Sequence, residues 1–462
     1  MKRVKRSKNQ DERIVNDPFT NLANDMIIEI LMKLPPRSIA RLHFASKESS
    51  SIILDKKFIQ WYMTRSLTQP RYLISLHRGG YMQMQLFQSL SQDHPYNHNM
   101  VSYEMEPDVL YEFTPPVRGL ICGRDFTKMI VGNPSTGQFV SLPRVKTRRQ
   151  DILSVFGYDP VNDVYKVLCM TVVLKRSHMS RNGNAVSWED IVSEEHQVIT
   201  LGAKEKWRMI ECEYPHRHNS GCKGIYKDGF MYYLATYQKK RSLMSFDLSS
   251  EEFNVTKLPE DQMLQQYGEL VNHAGKVTIA YQAYNRNVDL WVLEDANKEV
   301  WSKKFVVPPL SIDFFGRFRD LVFMGILGTG EMIFASRSPP FFFVCFDPRS
   351  KKVREIAIHG MGGASRHNIQ IFFDHVESCM VLPKIFLITH GSACGCYERL
   401  KSLEDLLQHI PHRSPPFFFV CFDPKSKKVR EIAIHGMGGA SRHNIQIFFD
   451  HVESCMVLPK VC

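Results

Sequence analysis

Two hydrophobic periodicities divide this chain. Between residues 17 and 66, Ile27, Ile30, Leu31 and Leu34 recur at i, i+3, i+4 and i+7. That spacing puts four branched aliphatics on one helix face. Asn24 or Asp25 can cap the start, and Pro35-Pro36 stops the helix. Ser38 can cap a second helix carrying Ile39 and Leu42, and Ile52, Ile53, Phe58, Ile59 and Tyr62 mark a third. The pattern predicts a three-helix unit of about 45 residues, too small for a robust core of its own. Its apolar faces call for a partner.

From about residue 70 the period changes. Short runs such as RYLISLH, VYKVLCM, FMYYLATY and KVTIAYQAY are rich in β-branched and aromatic residues and alternate with turn clusters such as NPSTG and DPVND. Many short strands at even spacing predict a mainly β domain: sandwich, barrel or propeller. One phrase recurs: strand, Asn or Asp, turn, second strand. Its anchors are Asn133, Asp159, Asp247, Asp295 and Asp347, and HQVITLGAKEKWRMIE (196–211) is a looser copy. From Asp247 onward the anchors fall 48 and 52 residues apart, close to one four-stranded propeller blade of about 40–50 residues. The expected fold is a small three-helix head followed by a propeller-like, kelch-type β domain.

Residues 337–384 recur at 413–460 with 47 of 48 positions identical; only Arg349 against Lys425 differs. A closed ring has a fixed number of blade slots, so one copy alone can fill the last. Between the copies, Leu400, Leu403, Leu407 and Ile410 fit one helix face. The expected organisation is a basic disordered tail at 1–16, the helical unit at 17–64, the β domain at 68–384, an insert at 385–412 and the duplicate at 413–462.

Composition narrows the class. Of 462 residues, 44% are hydrophobic, an ordinary globular share, and the net charge is +11. No apolar run approaches a membrane span of about 18 residues. MKRVKRSKNQDERIVND has no apolar core of a secretory signal. The eleven cysteines lack framework spacing and read as reduced thiols. These features point to the nucleus or cytoplasm, with no membrane partner. The basic residues are not interleaved with a stacking platform, which argues against a nucleic-acid partner.

Candidate chemistry is sparse. RVKTRRQ (144–150) is a basic loop suited to phosphate or an acidic segment. HPYNHN (94–99) and PHRHNS (215–220) pair histidines, but no Cys or carboxylate beside them completes a metal set, and Cys394-Gly-Cys396 near His390 lacks a second pair. HGMGGASRHN (359–368) lacks the Gly-Lys-Ser/Thr ending of a phosphate loop. No nucleophile elbow or catalytic carboxylate pair stands out. No cofactor, metal or catalytic residue is expected, and the chain reads as a non-enzyme.

LANDMIIEILMKLPPRSIARLHFASKESSSIIL (22–54) resembles the F-box at Leu22, Asp25, Glu29, Ile30, Leu31, Leu34, Pro35, Ser38, Leu42, Ser46 and Lys47. Two positions depart: Ala23 replaces the usual Pro, and Ser49 the usual Trp. PPVRGLICG, GNPSTGQFVSLP and SFDLSSEEFNVTKLPED, with VDLWVLEDANKEVWSK, resemble the plant F-box-associated domain of the third type over roughly 70–360. The resemblance implies a substrate-recognition subunit of a Skp–cullin–F-box ubiquitin ligase. Its F-box would dock on a Skp-family adaptor, and through it a cullin, while the β domain captures an unknown protein. Leu22, Ile27, Ile30, Leu31, Leu34, Pro35, Ile39 and Leu42 are the expected adaptor face; no substrate-binding residue follows from the resemblance. The alternative is an adaptor-independent propeller scaffold with a degenerate F-box.

Overall fold

The structure is a computed structural model describing residues 23–45, 47–78, 84–92, 98–104, 109–147, 151–172, 193–202, 206–218, 223–283, 287–307, 321–336, 342–356, 369–382, 417–423 and 428–434. The basic tail, Leu22, Ser46, the stretch 359–368 and the insert with Cys394 and Cys396 lie outside the described residues.

The head has four helices rather than three: α1 (Asn24–Lys33), α2 (Pro36–Ala45), α3 (Lys47–Ile53) and α4 (Lys56–Leu67). The third apolar set is split at Asp55, whose carboxylate accepts the backbone N–H groups of Lys57 (2.8 Å) and Phe58 (3.2 Å) and starts α4. Asn24 and Asp25 sit in the first turn of α1 rather than at its cap. The cap is Ala23, which offers no side-chain acceptor. Pro36 opens α2, where a missing N–H costs nothing, so Ser38 falls inside that helix.

The β domain is a six-bladed propeller. Its opening strands are β1 (Arg71–Arg78), β2 (Met84–Ser91) and β3 (His98–Glu104). Blade one follows as β4 (Glu112–Phe113), β5 (Ile121–Asp125), β6 (Lys128–Asn133) and β7 (Gln138–Ser141). Blade two is β8 (Asp151–Asp159), β9 (Val164–Val172), β10 (Ser193–Thr200) and β11 (Arg208–Ile210). In blade three the inner strand is broken into β12 (His216–His218) and β13 (Ile225–Lys227), followed by β14 (Phe230–Tyr237), β15 (Lys240–Asp247) and β16 (Phe253–Lys257). A short helix, α5 (Gln262–Tyr267), leads into blade four: β17 (Glu269–His273), β18 (Lys276–Gln282), β19 (Val288–Asp295) and β20 (Val300–Val306). Blade five is β21 (Leu321–Ile326), β22 (Met332–Ser336), β23 (Phe343–Phe346) and β24 (Val353–Ile356). Finally β25 (Ile369–His375) pairs antiparallel with β1, so blade six joins the two ends of the domain and closes the ring.

Closure shows in the packing. Each blade's second strand is buried on both faces and alternates between two cores. On β9, Val167 and Cys169 face blade one, while Leu168 and Met170 face blade three. On β22, Met332 and Phe334 face blade four, while Ile333 and Ala335 face blade six. The period of two persists, but with apolar side chains on both faces, so these strands read as continuous hydrophobic runs.

The anchors of the repeated phrase are turn chemistry. Asn133, Asp247, Asp295 and Asp347 end the third strand of blades one, three, four and five. The side-chain oxygen of each accepts the backbone N–H two residues on, at 2.9, 2.7, 3.0 and 2.9 Å. Asp159 makes the same turn with Val161 (3.0 Å), but between the first and second strands of blade two. The true counterpart in blade two is the looser copy, at the end of β10.

The first copy of the duplicated segment supplies β23, β24 and β25. The second, in a separate compact unit of residues 388–462, forms a two-stranded hairpin of β26 (Phe417–Asp423) and β27 (Lys428–Ile434). Its register, Phe419 opposite Ile432, repeats Phe343 opposite Ile356.

Candidate functional site

Helix α1 has two apolar faces. Ile27 and Leu31 are fully buried with Ile39, Ile53, Phe58 and Tyr62. Met26 and Ile30, one turn apart on another face, are 54% and 39% exposed. Glu29 and Lys33 pair beside them at 2.7 Å. The expected adaptor face is therefore divided. Ile27, Leu31 and Ile39 are interior and cannot meet a partner while the head is folded. Leu34 and Leu42 are half-buried against that core; Ile30 and Pro35 are exposed. The helical stripe mixed core and surface because it is wider than the face a core needs. Leu54, Trp61 and Leu67 add exposed apolar surface on and before α4.

The Ser49 departure is absorbed locally. Ser49 is fully buried, and its hydroxyl donates to the Leu42 carbonyl at 3.0 Å, tying α3 to α2. The Tyr62 hydroxyl donates to the Leu34 carbonyl at 2.9 Å, fixing α4 against the end of α1; burial pushes this phenol well above its ordinary range.

A strap holds the head to the propeller. After β25, residues 376–382 run between the two, and Cys379 and Val381 enter the head's own core. The Glu377 N–H donates to the Ser66 hydroxyl of α4 at 2.8 Å, and its carboxylate meets buried Arg71 of β1 at 3.3 Å. From blade one, the Asn133 amide donates to the carbonyls of both Ser378 and Met380 at 2.9 Å. Asn133 thus closes its own turn with its oxygen and grips the strap with its nitrogen. Gly119, at φ +82°, lets the strap pass; a Cβ there would stand 2.4 Å from that of Ser378. Lys56 of α4 also pairs with Asp163, in the β8–β9 turn. Nothing in the sequence marks ESCMVLP as a fastener.

These contacts put the head at the end of the ring that carries the first-to-second and third-to-fourth strand turns. An antiparallel meander sends the second-to-third turns, and the links between blades, to the opposite end. There Phe126, in the β5–β6 turn, is 73% exposed and holds a φ of 48°, uncommon for a bulky residue. The basic loop lies beside it: the Val145 N–H donates to the Thr127 carbonyl at 3.1 Å, and Arg144 and Lys146 are exposed on either side. Residues 148–150 lie outside the described residues. An aromatic tip next to two cations suits an acidic or phosphorylated segment. A cleft of about 840 Å³ opens between blades three and four, lined by Lys239, Lys240, Lys257, Trp291 and Trp301. Two of its lysines face carboxylates, Lys240 to Glu260 and Lys257 to Glu299, each at 3.7 Å. The histidines of PHRHNS are not isolated in the fold, since His196 and Cys212 stand close to His216.

The helical head is consistent with an F-box, and it is strapped to a six-bladed propeller closed by β25. The F-box associated beta propeller domain family matches residues 71–376. The chain belongs to this plant F-box family. An F-box/kelch-repeat protein of Arabidopsis thaliana is 54% identical over 395 residues, covering 83% of this chain and 99% of its own length. Two further Arabidopsis F-box proteins are 30% and 31% identical, over 77% and 83% of this chain and 91% and 94% of theirs.

Proposed function

We propose that the chain is the substrate-recognition subunit of a Skp–cullin–F-box ubiquitin ligase, working in the nucleus or cytoplasm. The observation that carries this is the second apolar face of α1: Met26 and Ile30 are exposed on a head whose own core is already filled. That face meets the Skp-family adaptor, and through it a cullin. Burying an exposed Ile or Met side chain contributes about 1.5–3 kcal/mol, so a few such residues anchor a stable interface. The far end of the propeller, with Phe126, Arg144 and Lys146, faces the captured protein. The chain performs no bond chemistry; it holds a substrate near the conjugating machinery, and proximity is its contribution.

A pull-down with a purified Skp-family adaptor tests this reading. The parent chain should be retained, and a Met26→Asp/Ile30→Asp variant with an unchanged circular dichroism spectrum should not. Ala23 and buried Ser49 favour a second reading, a propeller scaffold that has lost its adaptor. A folded parent chain that fails to bind the adaptor would establish that reading instead.

A further inference from the structure

We propose that His196, Cys212 and His216 form a zinc site that joins blade two to blade three. His196 lies on β10, Cys212 just after β11 and His216 on β12, so the site spans the link between the blades. One ligand atom from each residue lies within 4.8 Å of the others. Cys212 Sγ is already 3.8 Å from His216 Nδ1. Bond lengths of about 2.0–2.3 Å in a tetrahedral shell put neighbouring ligand atoms about 3.4–3.7 Å apart. The site therefore needs a contraction of up to about 1.4 Å, within the reach of side-chain rotation.

A second observation points to a ligand. His196 is 5% exposed, and its Nε2 has no hydrogen-bond partner. A buried imidazole nitrogen left unpaired is costly, and a metal ion would remove that cost. The donor set of one thiolate and two imidazoles suits zinc, a borderline-soft ion without redox chemistry.

An outer support is also present. Without metal, His216 Nδ1 donates to the Tyr214 carbonyl at 2.7 Å and its Nε2 accepts from the Tyr233 hydroxyl at 2.8 Å, so metal binding at Nδ1 gives up the carbonyl bond and keeps the Tyr233 contact. When Nδ1 binds the metal, the ring proton sits on Nε2 and is donated to the Tyr233 oxygen, which orients the ligand. Binding releases one proton, from the Cys212 sulfur to solvent, as the thiolate bonds to the metal. The competing arrangement is metal-free, with His196 edge-on to Phe253 at 5.1 Å, His216 tilted against the same ring, and His216 Nδ1 held by the Tyr214 carbonyl.

Cobalt titration of the full chain separates the two. Bound Co²⁺ should give a thiolate-to-metal charge-transfer band that saturates at one equivalent, and zinc should displace it. Cys212→Ala, with native circular dichroism, should lose the band. It should also weaken zinc binding by more than the 10–100-fold that an outer-shell change costs. X-ray absorption at the zinc edge of the parent chain gives the same answer without a variant. One sulfur and two or three nitrogen or oxygen neighbours is the expected shell. Absence of the band in the parent, its survival in Cys212→Ala, or a shell with two or more sulfurs would each overturn the proposal.

Discussion

The propeller and the head bury their side chains in different ways. The propeller divides its interior into cores between adjacent blades, and each second strand serves two of them. Any blade is therefore stabilised from both sides, and the ring is complete once β25 pairs with β1. The head has a single small core, and part of it is borrowed: Cys379 and Val381 arrive from the strap. The segment that closes the ring thus also completes the head. The head is not a freely swinging module, and the far end of the propeller stands at a fixed orientation to α1.

The sharpest way to break this comparison is to remove the strap with its strand. A chain ending at residue 368 loses β25 and the strap, so Ile369, Ile371, Phe372 and Phe373 leave two inter-blade cores. We expect it to lose cooperative unfolding altogether, while a chain ending at 382 melts within a few degrees of the full chain; differential scanning calorimetry reads both. Next, Leu31→Ala empties the head's core and should cost about 2–5 kcal/mol, whereas Ile30→Ala should change stability by less than about 0.5 kcal/mol. Denaturant titration followed at Trp61 compares them.

Acid should act on the junction as well. His375, the last residue of β25, is fully buried, and burial lowers its imidazole to about 3. The unfolded chain titrates near the ordinary value of about 6.5. Protons therefore favour the unfolded state below that value, and the contribution is intact at pH 7. It should fall by of order 2 kcal/mol by pH 5. His375→Gln should flatten that part of the stability profile.

Asn133→Ala removes both donations to the strap and the turn bond, and should cost about 1–3 kcal/mol. Hydrogen exchange should show faster exchange at 376–382. The smallest effect belongs to Lys56→Ala. Its pair with Asp163 is exposed, and Tm should move by no more than about 1 °C.

What the sequence revealed follows from how local each signal is. The Asx turns are decided by one side chain and the two residues after it, so Asn133, Asp247, Asp295 and Asp347 mark the blades correctly. Asp159 misleads because the same local chemistry serves a different turn. The duplicated hairpin makes the point again: both copies pair in one register, and among the described residues the first supplies strands to blades five and six while β26 and β27 pair with each other. The helical stripe on α1 was visible, but Met26, Ile27, Ile30 and Leu31 are all apolar. Periodicity alone does not say which pair faces inward. The strap was invisible because its partners lie 245 to 311 residues away. The cluster of His196, Cys212 and His216 was half hidden: Cys212 and His216 stand four residues apart in the sequence, but packing of blade two on blade three is what brings His196 to them.

Hydrogen exchange on the full chain, with and without a bound Skp-family adaptor, tests the central claim most directly. The account predicts slower exchange across residues 24–35 when the adaptor is bound, with the propeller strands unchanged. Adaptor-dependent protection in the blades, with none in α1, would contradict it.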